Sequence, residues 1–333
     1  MSYMNRALSL ARQAMGSTSP NPSVGSVVVK NNAIIGEGST QPPGQAHAEI
    51  MALKQSGVQA VGGTLYTTLE PCSHTGKTSP CTQAIINAGI TKVVISILDP
   101  NPLVSGQGLS RLKEAGIETY VGEGENESYE LMEGYLKFIV TNRPFITAKF
   151  AISLDGKLAT HQGDSKWITN AESRNYVHQL RSSTDAIMVG INTIITDDPK
   201  LTVRNTDGIP SDHQPLRIIV DSHGRTPSDA QVFSSPGDTL IVLSETIKSN
   251  HERLTNVGAY TEYMPNETGS VNLEHLLDSL ATKNITSVLV EGGGTLLGSL
   301  FDMRLVDKVI AFIAPKIIGG ETAPSPVEGI GVQ

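Results

Sequence analysis

His47-Ala48-Glu49, then Pro71-Cys72, then Cys81 set three metal-binding side chains and one carboxylate in order along the first quarter of the chain. Cys72 and Cys81 are the only cysteines among 333 residues, with eight residues between them. Taken singly they are ordinary. The stretch Pro71-Cys72-Ser73-His74-Thr75-Gly76-Lys77-Thr78-Ser79-Pro80-Cys81 could be a disulfide loop, two unrelated thiols or part of a metal site. Taken together, one imidazole and two thiolates leave the fourth position of a tetrahedral zinc open. A catalytic zinc needs that opening to activate a water, and Glu49 is a natural shuttle for the water's proton. Side chains two apart on a helix diverge. His47 and Glu49 can therefore serve one metal only over the first turn of a helix that begins near His47. Ser79-Pro80-Cys81-Thr82 reads as a second helix start, and a helix N-terminus favours the thiolate. The order His-x-Glu…Pro-Cys…Cys is that of the zinc deaminases, with the cysteines set further apart than their usual two residues.

The second half carries several polar clusters. Lys149-Phe150-Ala151-Ile152-Ser153-Leu154-Asp155-Gly156-Lys157 ends an apolar run, Ser165-Lys166-Trp167 holds the only tryptophan, and Asp197–Arg204 lies in a polar loop. Val290-Glu291-Gly292-Gly293-Gly294-Thr295 joins a strand to a helix, and such a Gly-rich turn lets backbone N–H groups approach a phosphate. A tight connection with no ligand has the same pattern. Arg181 and Arg204 are candidates for bidentate phosphate binding or for surface ion pairs, and Trp167 for packing or for a cofactor contact.

These residues need a frame. A helix is expected near 3–15, strands at 24–30 and 33–36 around Asn31-Asn32, a helix from about 47, a strand at 64–69, a helix at 82–88 and a strand at 92–98, with one more helix and strand to about 120. Strands alternating with helices predict a layered α/β domain with a largely parallel sheet over residues 1–122. Residues 123–144 read as a connecting helix and linker, stopped at Asn142-Arg143-Pro144. A second α/β domain is expected over 145–333, with strands at 146–152, 186–190, 216–220, 239–243, 287–290 and 308–313, helices near 171–181, 273–282 and 295–301, and a long loop at 197–215 of the kind that is often functional.

Composition narrows the function classes. Hydrophobic content of 38% fits a globular protein, and no apolar run is long enough to span a membrane. The N-terminus lacks the basic start and apolar core of a signal peptide, which predicts a cytoplasmic protein, where disulfides are rare. A net charge of −8 without a Lys/Arg cluster argues against nucleic acid as partner, while a small phosphorylated substrate needs only a few cations.

The spacing of Cys72 and Cys81, with Asn21-Pro22-Ser23-Val24-Gly25 before them, resembles the deaminase half of the bifunctional riboflavin-biosynthesis deaminase–reductases. The segments 149–169, 197–204 and 291–299 resemble the reductase half, itself similar to dihydrofolate reductase. The resemblance covers nearly the whole chain. It implies a cytidine-deaminase-like three-layer domain followed by a dihydrofolate-reductase-like α/β domain, with Zn2+ and NADPH as cofactors. It also implies a phosphorylated pyrimidine as substrate, deaminated first and then reduced from ribosyl to ribityl. Zinc falls to His47, Cys72 and Cys81, with Glu49 catalytic and with Asn21, His74 and Lys77 on the deaminase substrate. NADPH falls to Ala151, Trp167, Thr193, Asp197, Ser222 and the turn Gly293, Gly294, Thr295, Leu296, Leu297, Gly298 and Ser299. The reductase substrate falls to Ser165, Arg181, Leu201, Arg204 and Glu291, and Lys149 and Asp197 are candidates for the acid of the reduction. A homo-oligomer, dimer or tetramer, is expected. Two departures stand out. Thr40 occupies a position where the family usually has His, and the chain stops at Gln333 where the family continues, so a final strand is expected to be missing. The competing expectation is a zinc deaminase for another nucleobase with an inactive or regulatory second domain. It predicts a basic surface and a two-residue cysteine spacing, and neither is present.

Overall fold

Successive valines of one strand serve opposite faces of a sheet. In β1 (Gly25–Lys30), Val27 packs with Met4, Ala7 and Leu8, while Val28 packs with Ala52, Leu65 and Ile85. This is the period-2 alternation of a strand covered on both sides, and it makes the first unit three-layered. The computed structural model describes residues 2–73, 80–102, 104–164, 171–205 and 207–331, so His74, Lys77, Ser165 and Trp167 lie outside the described residues. The chain divides into two compact units, Met1–Asn142 and Arg143–Gln333.

The first unit runs α1 (Tyr3–Ala14), β1, β2 (Ala33–Ser39), α2 (Ala48–Ser56), β3 (Thr64–Leu69), α3 (Cys81–Asn87), β4 (Lys92–Ile97), α4 (Gln107–Glu114), β5 (Glu118–Val121) and α5 (Glu125–Thr141). Its sheet has the order β2-β1-β3-β4-β5. The expected largely parallel sheet is parallel only across β3-β4-β5. Asn31 and Asn32 both adopt positive φ, 50° and 60°, the signature of the two-residue hairpin turn that reverses the chain. β1 is thus antiparallel to β2, and it is antiparallel to β3 as well. α5, expected as a connector, buries Met132 among Val24, Ala48, Leu69 and Ile97, and Ser128 Oγ donates to Ser96 Oγ at 2.7 Å.

The second unit runs β6 (Phe145–Ser153), α6 (Ala171–Ser182), β7 (Ala186–Gly190), α7 (Ile191–Asp197), β8 (Leu216–Val220), α8 (Gln231–Ser234), β9 (Thr239–Leu243), α9 (Lys248–Asn256), β10 (Tyr260–Tyr263), α10 (Leu273–Thr282), β11 (Ser287–Glu291), α11 (Gly294–Asp302) and β12 (Lys308–Ala314). The order is β10-β9-β8-β7-β11-β6-β12, and every pairing is parallel. Met188, Ile218, Leu240 and Val242 pack under α10 and α11, and Ile187, Ile219 and Ile241 pack with α7 and α9. Because all strands run one way, their C-terminal ends share one edge of the sheet, where α/β proteins place ligands. Among the described residues no strand follows β12.

Candidate functional site

The metal cluster is assembled from three element ends. His47 is the N-cap of α2, Cys72 follows β3, and Cys81 opens α3. One ligand atom from each lies within 4.8 Å of the others. His47 Nδ1 is 3.7 Å from Cys72 Sγ and 3.3 Å from Cys81 Sγ. Ligands at zinc bond lengths in a tetrahedron stand roughly 3.5 Å apart, so the residues fit that metal. Both cysteines are free thiols, which removes the disulfide reading. The Cys81 N–H also donates to Cys72 Sγ at 3.3 Å.

The electrostatics suit thiolate ligation. The hydrogen bond from Cys81 pulls the Cys72 thiol down to about 4, against its burial and with help from His47, and the same bond pushes Cys81 up. Hydrogen bonding to Cys72 raises His47 against its desolvation. Glu49, 4% exposed in the first turn of α2, is pushed up to about 7, by burial first and by the charge of Cys72 second. A carboxyl in that range can hold and return a proton near neutral pH.

The neighbouring segments are braced from the sheet. Asn21 lies half-buried in the loop before β1, its N–H bonded to Thr18 O at 2.9 Å. Thr40 closes the same loop: Val24 N–H donates to Thr40 Oγ1 at 3.1 Å, and Thr40 N–H returns to Val24 O at 2.9 Å. At 4% exposure, Thr40 is a buried brace. Sequence reasoning passed over Glu70, a buried carboxylate directly before Pro71-Cys72.

In the second unit the register builds an ion triad. Glu291 on β11 pairs with Lys149 on β6, and Lys149 Nζ lies 3.2 Å from Glu291 Oε2. Arg181 on α6 grips the same carboxylate through Nε at 2.6 Å and Nη2 at 3.1 Å, and its Nη1 reaches Thr202 O at 3.1 Å. Burial raises Glu291, but Arg181 and Lys149 outweigh it and hold the carboxyl at about 2. His178, three residues before Arg181 and so on the same helix face, was missed from the sequence. Its Nδ1, Thr202 Oγ1 and Arg204 Nε are buried without a hydrogen-bond partner. Burial first, and then the charges of Arg181 and Arg204, lower His178. Leu201, buried with φ +51°, turns the loop that carries Thr202 and Arg204.

The Gly-rich turn meets α7. Gly292 has φ +110°, and a Cβ there would collide with Thr193 Oγ1. Two members of the expected NADPH set, Thr193 and the turn at Gly293, are therefore adjacent. A backbone cradle at a helix start fits a nucleotide phosphate. α11 begins at Gly294; Leu296 and Leu297 face the core, while Thr295 and Ser299 are exposed. The segment Ser325–Gly331 lies over this helix: Glu328 N–H donates to Gly294 O at 3.1 Å, and Thr295 Oγ1 donates to Glu328 Oε2 at 2.8 Å. Ala151 is half-buried within β6, Ser222 follows β8, and Asp197 ends α7 at the surface.

Comparison with known proteins agrees with both units. Residues 1–97 match the family model for the cytidine and deoxycytidylate deaminase zinc-binding region, and residues 144–333 match the RibD C-terminal domain. The chain is 46% identical to the riboflavin biosynthesis protein RibD of Aquifex aeolicus, covering 95% of this chain and 87% of that protein. It is 42% identical to RibD of Escherichia coli, covering 96% and 88%. The solved structure of Acinetobacter baumannii RibD superposes with a TM-score of 0.86 at 38% identity, over 99% of this chain and 90% of that one. A Thermotoga maritima protein, described as a diaminohydroxyphosphoribosylaminopyrimidine deaminase/5-amino-6-(5-phosphoribosylamino)uracil reductase, superposes at 0.83 with 37% identity, over 96% and 87%. Metal cluster, parallel reductase sheet and near-full-length identity converge: the chain belongs to the RibD family of riboflavin-biosynthesis enzymes, a zinc-dependent deaminase and an NADPH-dependent reductase in one polypeptide.

Proposed function

We propose that the first unit deaminates 2,5-diamino-6-(5-phosphoribosylamino)pyrimidin-4(3H)-one and that the second reduces the product, 5-amino-6-(5-phosphoribosylamino)uracil, at C1′ of its ribosyl group. The observation that carries the reading is the convergence of His47, Cys72 and Cys81 beside buried Glu49. Zinc supplies Lewis acidity that readies a water for attack at neutral pH. His47 Nδ1 and the two Sγ atoms would hold it, and a three-residue ligand set would leave room for a water. Glu49 Oε accepts the water's proton and returns it to the amino group as ammonia leaves. Asn21, His74 and Lys77 orient the phosphorylated pyrimidine, the last two through the enlarged loop between the cysteines.

In the second unit, NADPH supplies the hydride and the protein supplies alignment. The turn at Gly293–Ser299 with Thr193, Ala151, Trp167, Asp197 and Ser222 holds the nucleotide. Arg181 and Arg204, with Ser165, Leu201 and Glu291, hold the substrate. Glu291 holds both Arg181 and Lys149 through its ion pairs, which makes Lys149 Nζ the first candidate for the proton source and Asp197 the second.

No described helix is long and apolar enough to cross a membrane. The two free thiols support a reducing, cytoplasmic location. Exposed Val309 and Ile313 on the edge strand β12 support a homo-oligomer, dimer or tetramer. The test is a pair of assays on the purified chain: ammonia release from the diaminopyrimidinone, then NADPH oxidation on the deaminated product. Activity in neither assay would overturn the reading, and ammonia release without NADPH oxidation would restrict it to the first unit.

A further inference from the structure

We propose that Glu70 is a positioning residue for the metal: its carboxylate locks the Cys72 ligand to the start of α4. Glu70 is 3% exposed, and its partners are main-chain N–H groups. Oε2 accepts from Asp99 N–H at 3.2 Å and from Gly106 N–H at 3.0 Å, and Oε1 accepts from Leu109 N–H at 3.0 Å. A helix start leaves its first N–H groups without internal partners, and a side-chain oxygen at the N-cap normally takes one of them. The N-cap of α4 is Gly106, which has no side chain to do so. Glu70 fills that role from a distant segment, and the helix in turn solvates a buried carboxylate that would otherwise be costly.

The clamp is transmitted to the ligand by close contact. Pro71 is buried, and its carbonyl oxygen lies where a Cβ on Gly108 would be, so only glycine allows α4 to approach so closely. Cys72 comes next. Its own ties run to α3: Thr82 N–H donates to Cys72 O at 3.1 Å, and Cys81 N–H donates to Cys72 Sγ at 3.3 Å. Those bonds hold Cys72 to the other thiol ligand. The Glu70 clamp instead fixes it to the end of β4 and to α4. One thiolate is thereby referenced to two independent parts of the frame, which sets the spacing that tetrahedral coordination needs. Groups that orient metal ligands contribute about 10- to 100-fold to metal affinity.

This inference rests on the ligand set proposed above, and its test separates the two. On the full-length chain, the Zn2+ dissociation constant is measured by competition with a chromophoric chelator, with the urea-unfolding transition of the metal-free first unit as a check on folding, since reduction belongs to the second unit. Glu70→Gln keeps the shape but turns an amide NH2 toward N–H donors, so at least one donor loses its acceptor. The expected result is zinc binding weakened about 10- to 100-fold, with the first unit still folded. Gly108→Ala, which displaces Pro71 while leaving the carboxylate intact, weakens zinc in the same range and carries the test if Glu70→Gln does not fold. Leu112→Ala loosens the packing of α4 away from the clamp and leaves zinc affinity within about threefold, well short of that ligand-orienting range. Wild-type-like zinc binding in Glu70→Gln or Gly108→Ala, or equal weakening in Leu112→Ala, would falsify the positioning role. Wild-type-like binding in Cys72→Ala would instead overturn the ligand set.

Discussion

Glu49 shows what a single buried carboxyl contributes. It sits two residues from a metal ligand, out of water, in the first turn of α2, and it is not one of the three ligands in the cluster. Glu49→Gln keeps its volume and removes its basicity. Ammonia release is expected to fall by about 10²- to 10⁴-fold, the range for loss of a general acid–base group, while zinc content by elemental analysis stays at one per chain; wild-type-like release would remove Glu49 from the mechanism. Glu291 plays an electrostatic role that stability can read. Glu291→Gln leaves Arg181 and Lys149 buried without their counter-charge, and urea unfolding followed in the second unit should show a loss of about 3–5 kcal/mol. The sign of the pH dependence follows from a folded value of about 2, below the ordinary carboxyl value of 4.5 in the unfolded chain. A depressed carboxyl stabilises fully above the unfolded value and loses its contribution as pH falls through the folded one. The gap between wild type and Glu291→Gln should hold steady from pH 5 to 8 and narrow below about 4.5; a gap that widens in acid contradicts the triad. At this scale the sequence shows ligand identity and hides contact. His47, Glu49, Cys72 and Cys81 were legible because few other roles use those types in that order. Glu70 was not, because its partners Asp99, Gly106 and Leu109 are distant main-chain groups that no residue type announces. His178 was passed over because Arg204 and Glu291 come near it only through the fold.

Elements were legible where apolar periodicity is strong. β7, β8 and β9 are built on Val, Ile and Leu runs, β3 spans the expected 64–69, and α1 and α10 follow their apolar stripes. α9 and β10 were missed, and each offers little signal: α9 buries only Leu254, and β10 is a four-residue edge strand of alternating Tyr, Thr and Glu. The antiparallel start of the first sheet depends on two asparagines taking positive φ, a preference weaker in sequence than that of Asn-Gly. The covering of α11 was also invisible, since Glu328 is far from Gly294 along the chain. Gly298 permits that covering: a Cβ there would collide with Glu328 O. The arrangement has an electrostatic consequence. The Glu328 carboxylate accepts from Thr295 at the start of the helix that the cofactor phosphate is proposed to approach. A helix start attracts one anion and two repel each other there, with effects of about 0.3–1 kcal/mol. Glu328→Gln should lower the KM for NADPH about two- to fivefold with kcat little changed, measured by initial rates of NADPH oxidation. A raised KM would mean that the carboxylate assists the nucleotide instead.

The whole molecule joins two chemistries whose requirements differ. Deamination needs a metal, and all three ligands and Glu49 belong to the first unit. Reduction needs a nucleotide cradle and cations, and Lys149, Arg181, Arg204, Thr193 and the Gly292-Gly293 turn belong to the second. Each unit has its own core: Val28, Leu65 and Ile95 anchor one, Met188, Ile218 and Val290 the other. Among the described residues no proposed ligand of one site lies in the other unit, so the activities should separate under perturbations aimed at a single unit. Removing the metal with a chelator is expected to abolish ammonia release and to leave NADPH oxidation on the deaminated product within about twofold, a change too small to count as the loss of one hydrogen bond. The reciprocal perturbation is Arg204→Ala. Loss of a charge-assisted hydrogen bond costs about 1.5–3 kcal/mol, so the reductase KM should rise about 10- to 100-fold while ammonia release and zinc content stay unchanged. Both arms matter, because either alone could reflect general unfolding. If chelation stops reduction as well, or if Arg204→Ala slows deamination to the same degree, the two sites depend on one another and the assignment of one reaction to each unit fails.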